Sequence, residues 1–282
     1  MKFRDEDTAI ITYIDRNNEE NLLNDFLPTL FEAANYTGLV VILEYGIDKE
    51  IKDAILKKYK VELVECNITT DIFVDRYRDI SDVITKLPGK IKSVVTMDSG
   101  DIWFQDSLDD FFTNEPGIIS TVCEERIWDI DEWALKCINM LKDSDKRVVL
   151  KKLEGVNVRN SGVISGERNA VRDLSENVYR DIISCGYSFF GIDQIYVNYE
   201  IAIISEEKRR TLNERYNYVL VSNVGKFIIE DDIVYSSDGE KIAVVHNAGG
   251  NWRILNRPFL NKWSNPEQYT IENVKNLNVK EV

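Results

Sequence analysis

The chain predicts an α/β fold, with a Rossmann-like, mostly parallel central sheet and helices on both faces. Three observations carry that prediction. Apolar runs rich in β-branched residues alternate with stretches of helical periodicity through the first half of the chain, which is the pattern of right-handed βαβ units. One such run, Val94-Val95-Thr96-Met97, ends in the polar turn Asp98-Ser99-Gly100-Asp101, and open α/β sheets bind their ligands beyond the carboxyl ends of strands. A length of 282 residues, 44% hydrophobic and 30% charged, suffices for one large domain with a sizeable core.

Taken in order, Thr8-Ala9-Ile10-Ile11-Thr12-Tyr13-Ile14 reads as the first strand. Asn17 or Asn18 is placed to cap a helix through about Ala34, with Glu19 and Glu20 favourable in its first turn. Leu22, Leu23, Phe26, Leu27, Leu30 and Phe31 recur at helical spacing and face the core, whereas Pro28 predicts a kink or a break. Residues 39–43 form a second strand, 49–59 a short helix, 61–65 a third strand and 70–87 a helix. Pro88-Gly89 punctuates the chain before a strand over 91–97.

The second half is less regular. Residues 116–122 read as a strand, 127–150 as mostly helical, 160–166 as a short strand between turns, and 168–184 as a helix. Short apolar runs follow at 218–221, 227–229 and 242–245, with Asp238-Gly239 turning the chain before the last. No internal repeat or low-complexity tract interrupts the pattern. The expected organisation is a single domain over 1–263 and a polar tail, rich in Asn and Lys, over 264–282.

A net charge of -14 argues against nucleic acid as the main partner, because no Lys/Arg-dense stretch offers phosphates a basic face. The mixed cluster Asp75-Arg76-Tyr77-Arg78-Asp79 reads as a solvated helix face, although its cations are well placed for a ligand. The charged start, running directly into a strand, does not read as a secretory signal, and no apolar run approaches the length of a transmembrane span. Cys66, Cys123, Cys137 and Cys185 make no CxxC pair and read as reduced, mostly buried thiols. The cytoplasm is the expected compartment.

The chemistry concentrates at three places. Asp98 and Asp101, beyond a buried strand, make a hard, oxygen-rich site suited to Mn²⁺ or Mg²⁺ carrying a substrate diphosphate. The same turn is also what a solvated Asx-turn looks like. His246, the only histidine, directly follows the run Ile242-Ala243-Val244-Val245, and a neutral imidazole binds Mn²⁺ beside carboxylates. Gly249-Gly250 then lets backbone approach a ligand, and Arg253 can meet a phosphate through its planar fork. Asp193, Gln194 and Asn198 fall about one helical turn apart and share a face, with a helix start capped by Asp193 as the plain alternative. Trp103, Trp128, Trp133, Phe189 and Phe190 are either a sugar platform or core. No GxGxxG, P-loop, HExxH or GxSxG is present.

In this order the motifs resemble those of GT-A-fold glycosyltransferases, most nearly the glycogenin-like, retaining class that uses nucleotide sugars. The elements that carry the resemblance are Asp98/Asp101, Asn160-Ser161-Gly162-Val163, Asp193-Gln194 with Asn198, and His246-Asn247-Ala248-Gly249-Gly250-Asn251-Trp252-Arg253, spread over about residues 8–257. The aspartates are separated by two residues, Ser99 and Gly100, where the family's motif has one, and Arg253 stands in place of the usual Lys.

The resemblance implies a GT-A fold and a metal held by Asp101 and His246, with Asp98 direct or through water. It implies base and ribose contacts from Tyr13 and Asp15, donor contacts from Ser99, Gly249 and Arg253, and Arg78 reaching the phosphates or the sugar. Asn160, Asp193 and Gln194 would bind donor-sugar hydroxyls. The implied reaction moves a sugar from a nucleoside-diphosphate sugar, such as a UDP-sugar, to a glycan, lipid-linked sugar or protein acceptor. Two alternatives stay open: a sugar nucleotidyltransferase, which usually needs a Gly-rich basic loop after the first strand, and a non-catalytic binding or scaffold domain.

Overall fold

The structure, a computed structural model, describes residues 5–231, 233–248 and 280–281. Strands β1 (Thr8–Asp15), β2 (Leu39–Tyr45), β3 (Glu62–Glu65) and β4 (Ser93–Asp98) appear where the β-branched runs predicted them. Four short strands follow: β5 (Ile102–Phe104), β6 (Ile119–Thr121), inside the strand expected over 116–122, and the pair β7 (Cys123–Ile127) and β8 (Asn157–Arg159). Then come β9 (Val163–Glu167), β10 (Tyr187–Ser188), β11 (Arg209–Thr211), β12 (Tyr218–Val219), β13 (Phe227–Glu230), β14 (Ile233–Ser236) and β15 (Val244–His246). The helices are α1 (Glu19–Asn21), α2 (Leu27–Glu32), α3 (Lys49–Lys58), α4 (Ile72–Lys86), α5 (Glu132–Asn139), α6 (Asp143–Leu153), α7 (Arg168–Cys185) and α8 (Ile192–Ile203).

The central sheet has seven strands in the order β11-β6-β9-β4-β1-β2-β3. Its pairs are parallel except those that β9 makes with β4 and β6. Because successive side chains point to opposite faces, each strand feeds two cores. Ala9, Ile11, Val41, Leu43 and Val94 pack under α4, α7 and α8, while Ile10, Val40, Ile42 and Val95 pack against the first helix and α3. Burial on both faces is why these runs read as continuously apolar.

A second sheet, β12-β15-β5, stands at the carboxyl end of the first. Its β5 was absent from the sequence reading, since three residues between polar turns carry almost no periodicity. It runs antiparallel to β15, with Ile102 opposite His246 and Phe104 opposite Val244.

Several expectations need correction. The helix expected over 127–150 is two, α5 and α6, preceded by β7. The run 218–221 is strand only at Tyr218–Val219 and then turns into a 3₁₀ helix. Of the cysteines, all free, only Cys137 is buried. Asn18 holds the first N-cap position but makes no capping bond; its amide donates to Asp15 Oδ1 at 2.9 Å.

Pro28 neither breaks nor ends the first helix. A π-helical turn, Leu22–Phe26, precedes it and takes up the misfit between its ring and the turn before. Among the described residues no helix is long and apolar enough to cross a membrane. Gly249, Arg253 and nearly all of the tail over 264–282 lie outside the described residues.

Candidate active site

Three chain crossings assemble the site. Asp98 is the last residue of β4, paired with Tyr13 of β1 in parallel register. Antiparallel β9 brings Gly162 alongside, so that Asp98 N donates to Gly162 O at 2.8 Å. The β5–β15 pairing then folds the Asp98–Asp101 turn onto the end of β15, where Asn247 N donates to Asp101 O at 2.9 Å.

As a result His246 Nε2 lies 3.3 Å from Asp101 Oδ1 and 3.9 Å from Asp98 Oδ2. One ligand atom from each of these residues falls within 4.8 Å of the others. The ring is buried, and its Nδ1 sits 3.0 Å from Asn217 Oδ1. A Cβ at Gly162 would stand 2.6 Å from both Asp98 Oδ2 and His246 Cε1, which accounts for glycine in Asn160-Ser161-Gly162.

Arg76 organises the acidic groups. It is 3% exposed, and its Nη1 donates to Asp98 Oδ1 at 2.7 Å while Nη2 donates to Asp193 Oδ2 at 2.5 Å. The Tyr13 hydroxyl also donates to Asp98 Oδ1, at 2.7 Å, and the guanidinium packs over the Tyr13 and Tyr77 rings. Burial pulls the guanidinium pKa down, but Tyr77, Asp98 and Asp193 more than offset it and raise it overall.

Burial raises Asp98, helped by Asp101 and opposed by Arg76 and His246. Burial raises Asp193 as well, against Arg76 and the Ser161 hydroxyl. For His246 burial acts downward, but Asp101 and Asp98 prevail and raise it. Three carboxylates around one guanidinium and one imidazole make a site that favours an added cation.

These groups line a cleft of about 390 Å³ at the carboxyl ends of β1 and β4. Tyr13, Asp15, Asp98, Ser99, Asp101, Asn160, Asp193, Gln194 and His246, all expected from the sequence, border it together. Asp15 accepts from the Asn17 and Asn18 amides at 3.0 and 2.9 Å. Ser99 Oγ donates to Tyr13 O at 2.8 Å, and Asn160 Oδ1 accepts from Gly162 N at 2.9 Å.

Asp193 does not cap its helix. The N-cap is Gly191, at φ 91°, which frees the carboxylate for Arg76 and for the Ser161 hydroxyl at 3.0 Å. Asn198, fully buried, instead brackets the backbone of Arg159, donating to its O and accepting from its N.

Arg78 lies elsewhere. Two residues along α4 is about 200° around a helix, so Arg78 turns away to Asp75, Asp79 and the carbonyl of Asn67. It borders a separate recess with Arg172 and Tyr179. Of the two well-placed cations in the Asp75–Asp79 cluster, the sequence assigns a role to Arg78, whereas Arg76 is the one at the cleft; the cluster reads as solvated, yet Asp75, Arg76 and Tyr77 are buried. Of the aromatics, Trp103, Trp128 and Phe189 are core, and only Trp133 and Phe190 reach the cleft, beside Phe73.

No known family profile matches the chain, nor does any curated protein. Solved structures do. The galactosyltransferase LgtC in complex with donor and acceptor sugar analogs matches at 13% identity, over 91% of this chain and 95% of that one, with a TM-score of 0.56. An active-site glutamine-to-glutamate mutant of LgtC matches at 12% identity over the same shares, with a TM-score of 0.57. At such identity the likeness speaks to architecture, and it is clear on that point: the chain has the GT-A fold of the LgtC galactosyltransferase.

Proposed function

We propose that this chain is a metal-dependent glycosyltransferase. It moves a sugar from a nucleoside-diphosphate sugar, foremost a UDP-sugar, to an acceptor hydroxyl with retention of configuration, as in the glycogenin-like class. The observation that carries the proposal is the convergence of Asp98, Asp101 and His246 beside the cleft at the carboxyl end of the sheet. The cleft volume is of the size small-molecule sites usually have.

The donor set, two carboxylates and an imidazole, suits Mn²⁺ or Mg²⁺. The space kept open by Gly162 between Asp98 and His246 suits an ion as well. Asp98, Asp101 and His246 would hold it. When bound, such an ion would supply positive charge to offset the charge that develops on the diphosphate leaving group as the glycosidic bond breaks.

The chain's own groups do the rest. Tyr13, Asp15 and Ser99 take the base and ribose, and Gly249 and Arg253 the phosphates. Asn160, Asp193 and Gln194 hold donor-sugar hydroxyls so that the anomeric carbon faces the acceptor. Arg76, pinned between Asp98 and Asp193, keeps the metal side and the sugar side of the cleft in register. The LgtC structures supply an analogy: one holds donor and acceptor sugar analogs, the other changes an active-site glutamine, and Gln194 borders the cleft here. A glycan, a lipid-linked sugar or a protein side chain would serve as acceptor.

The test is thermal stability with UDP, GDP, CMP and ADP, each with and without Mn²⁺. A ligand that binds only the folded chain raises the melting temperature with occupancy. One nucleotide should raise it only when Mn²⁺ is present, and Asp101→Ala should remove that rise. A wild-type chain unmoved by all four nucleotides, or a rise that survives Asp101→Ala, would count against the proposal.

A further inference from the structure

We propose that Asn217 is the positioning residue that presents His246 to the metal, its side-chain carbonyl holding the proton of Nδ1 so that Nε2 keeps its lone pair for the ion. The inference rests on the metal-dependent reading above and adds a residue to it that no sequence motif contains.

The geometry is specific. Asn217 Oδ1 lies 3.0 Å from His246 Nδ1, and the two residues are 2% and 1% exposed. A carbonyl oxygen only accepts, so Nδ1 is the donor. The opposite ring nitrogen then faces Asp101 Oδ1 and Asp98 Oδ2. Metal-bound histidines are held in this way by an acceptor on the far nitrogen, which sets both tautomer and ring angle.

Asn217 is itself held in place. Its N–H donates to Glu214 O at 3.1 Å, ending the 3₁₀ turn Glu214–Tyr216. The next residue opens β12, whose parallel register sets Val219 against His246. Asn217, directly before β12, and His246, at the end of β15, are therefore held by one pair of strands and keep their spacing together.

The rest of the side chain says why an amide stands here. Asn217 Nδ2 has no hydrogen-bond partner among the described residues. A buried amide with half its capacity unmet opposes folding, and a leucine of similar size would avoid that penalty. The half that is used, the bond to Nδ1, is what the amide supplies.

The experiment exploits the single histidine of the chain. With ¹⁵N-histidine incorporated in the untagged protein, one set of ring nitrogen signals reports on His246 alone. Nδ1 should carry its proton both without metal and with Zn²⁺ as a diamagnetic probe. A ring protonated only at Nε2 would overturn the inference without any variant being made.

Mn²⁺ titration, followed by the electron paramagnetic resonance of the free ion, supplies the second readout. N217D should keep affinity within a few fold, because a carboxylate accepts the same proton. N217L, checked for folding by circular dichroism, should weaken binding by about ten- to a hundredfold. Unchanged affinity in folded N217L overturns the role of Asn217 while leaving the metal site standing. A wild-type chain that binds no Mn²⁺ at all removes the metal reading and this inference with it.

Discussion

At the scale of single residues, Gly162 and Arg76 carry the sharpest expectations. Gly162 has no slack: an added methyl would meet Asp98 Oδ2, His246 Cε1 and Asn160 Oδ1, all within 2.8 Å. Its carbonyl is bonded to Asp98 N, so the backbone has little freedom to retreat. Gly162→Ala should cost about 1–3 kcal/mol, as overpacking does, and abolish the Mn²⁺-dependent rise in melting temperature; a variant that keeps that rise would refute the crowded geometry. Arg76→Met leaves Asp98 and Asp193 facing each other without their shared cation and should destabilise the chain by about 3–5 kcal/mol. Arg78→Ala, on the other side of α4, should leave sugar transfer nearly unchanged, because Arg78 and its partners Asp75 and Asp79 lie outside the cleft. Chemical denaturation and a transfer assay of the two variants check the pair of expectations.

At the scale of elements, irregularity in the first helix serves the site. The π-turn before Pro28 sets Thr29 so that its hydroxyl donates to Asp25 O at 2.6 Å and accepts from Phe104 N at 3.0 Å. That contact anchors β5, and β5 anchors Asp101. About two turns earlier the Asn21 amide donates to Gly100 O, in the loop that leads into β5.

The α7–α8 interface makes a different point. Glu200 is buried there against Asp181, with Asn177 and Arg180 nearby. Burial first, and then Asp181, push its carboxyl up to about 7. The folded chain therefore holds a proton that the unfolded chain has released between the ordinary glutamate range and about pH 7. Stability falls as pH rises through that window, and the penalty is fully present above it. Glu200→Gln should raise the melting temperature by a few degrees at pH 8 and by little at pH 5; a gain that is the same at both pH values would show that the carboxyl does not titrate as its surroundings dictate.

At the scale of the whole molecule, two cores share one sheet, and the small sheet bearing His246 is attached to its end. The β13–β14 hairpin packs on that small sheet, its Phe227, Ile229 and Val234 sharing a cluster with Trp103, Tyr218 and Val245, with Ile228 48% exposed. Local opening follows burial. Amide exchange should be slowest in β1 and β4, which are buried on both faces, and fastest in the β13–β14 hairpin. Saturating nucleotide with Mn²⁺ should slow exchange in β5 and β15 more than in β2 and β3, because the ligand ties the small sheet to the large one. Uniform protection by ligand across all strands would argue that the two sheets already open as one unit.

What the sequence determined by itself was whatever depends on neighbours along the chain. The β-branched runs of β1, β2 and β4, the helical spacing of α4 and α7, and the carboxylates ending β4 are local signals, and burial on both faces made the strands easy to see. The candidates Asp98, Asp101, Asp193 and His246 were legible for the same reason: each stands at or just beyond the end of an apolar run or at the start of a helical pattern.

Contacts between distant segments were decided only by the tertiary structure. Nothing near Arg76 announces that Asp98 and Asp193, 22 and 117 residues away, will surround it, so a mixed-charge pentad read as solvent-facing. Burying a guanidinium is tolerable only where carboxylates arrive from elsewhere. The same holds for β5, whose three residues acquire strand character by pairing with β15, and for Asn217, which meets His246 only through the register of β12.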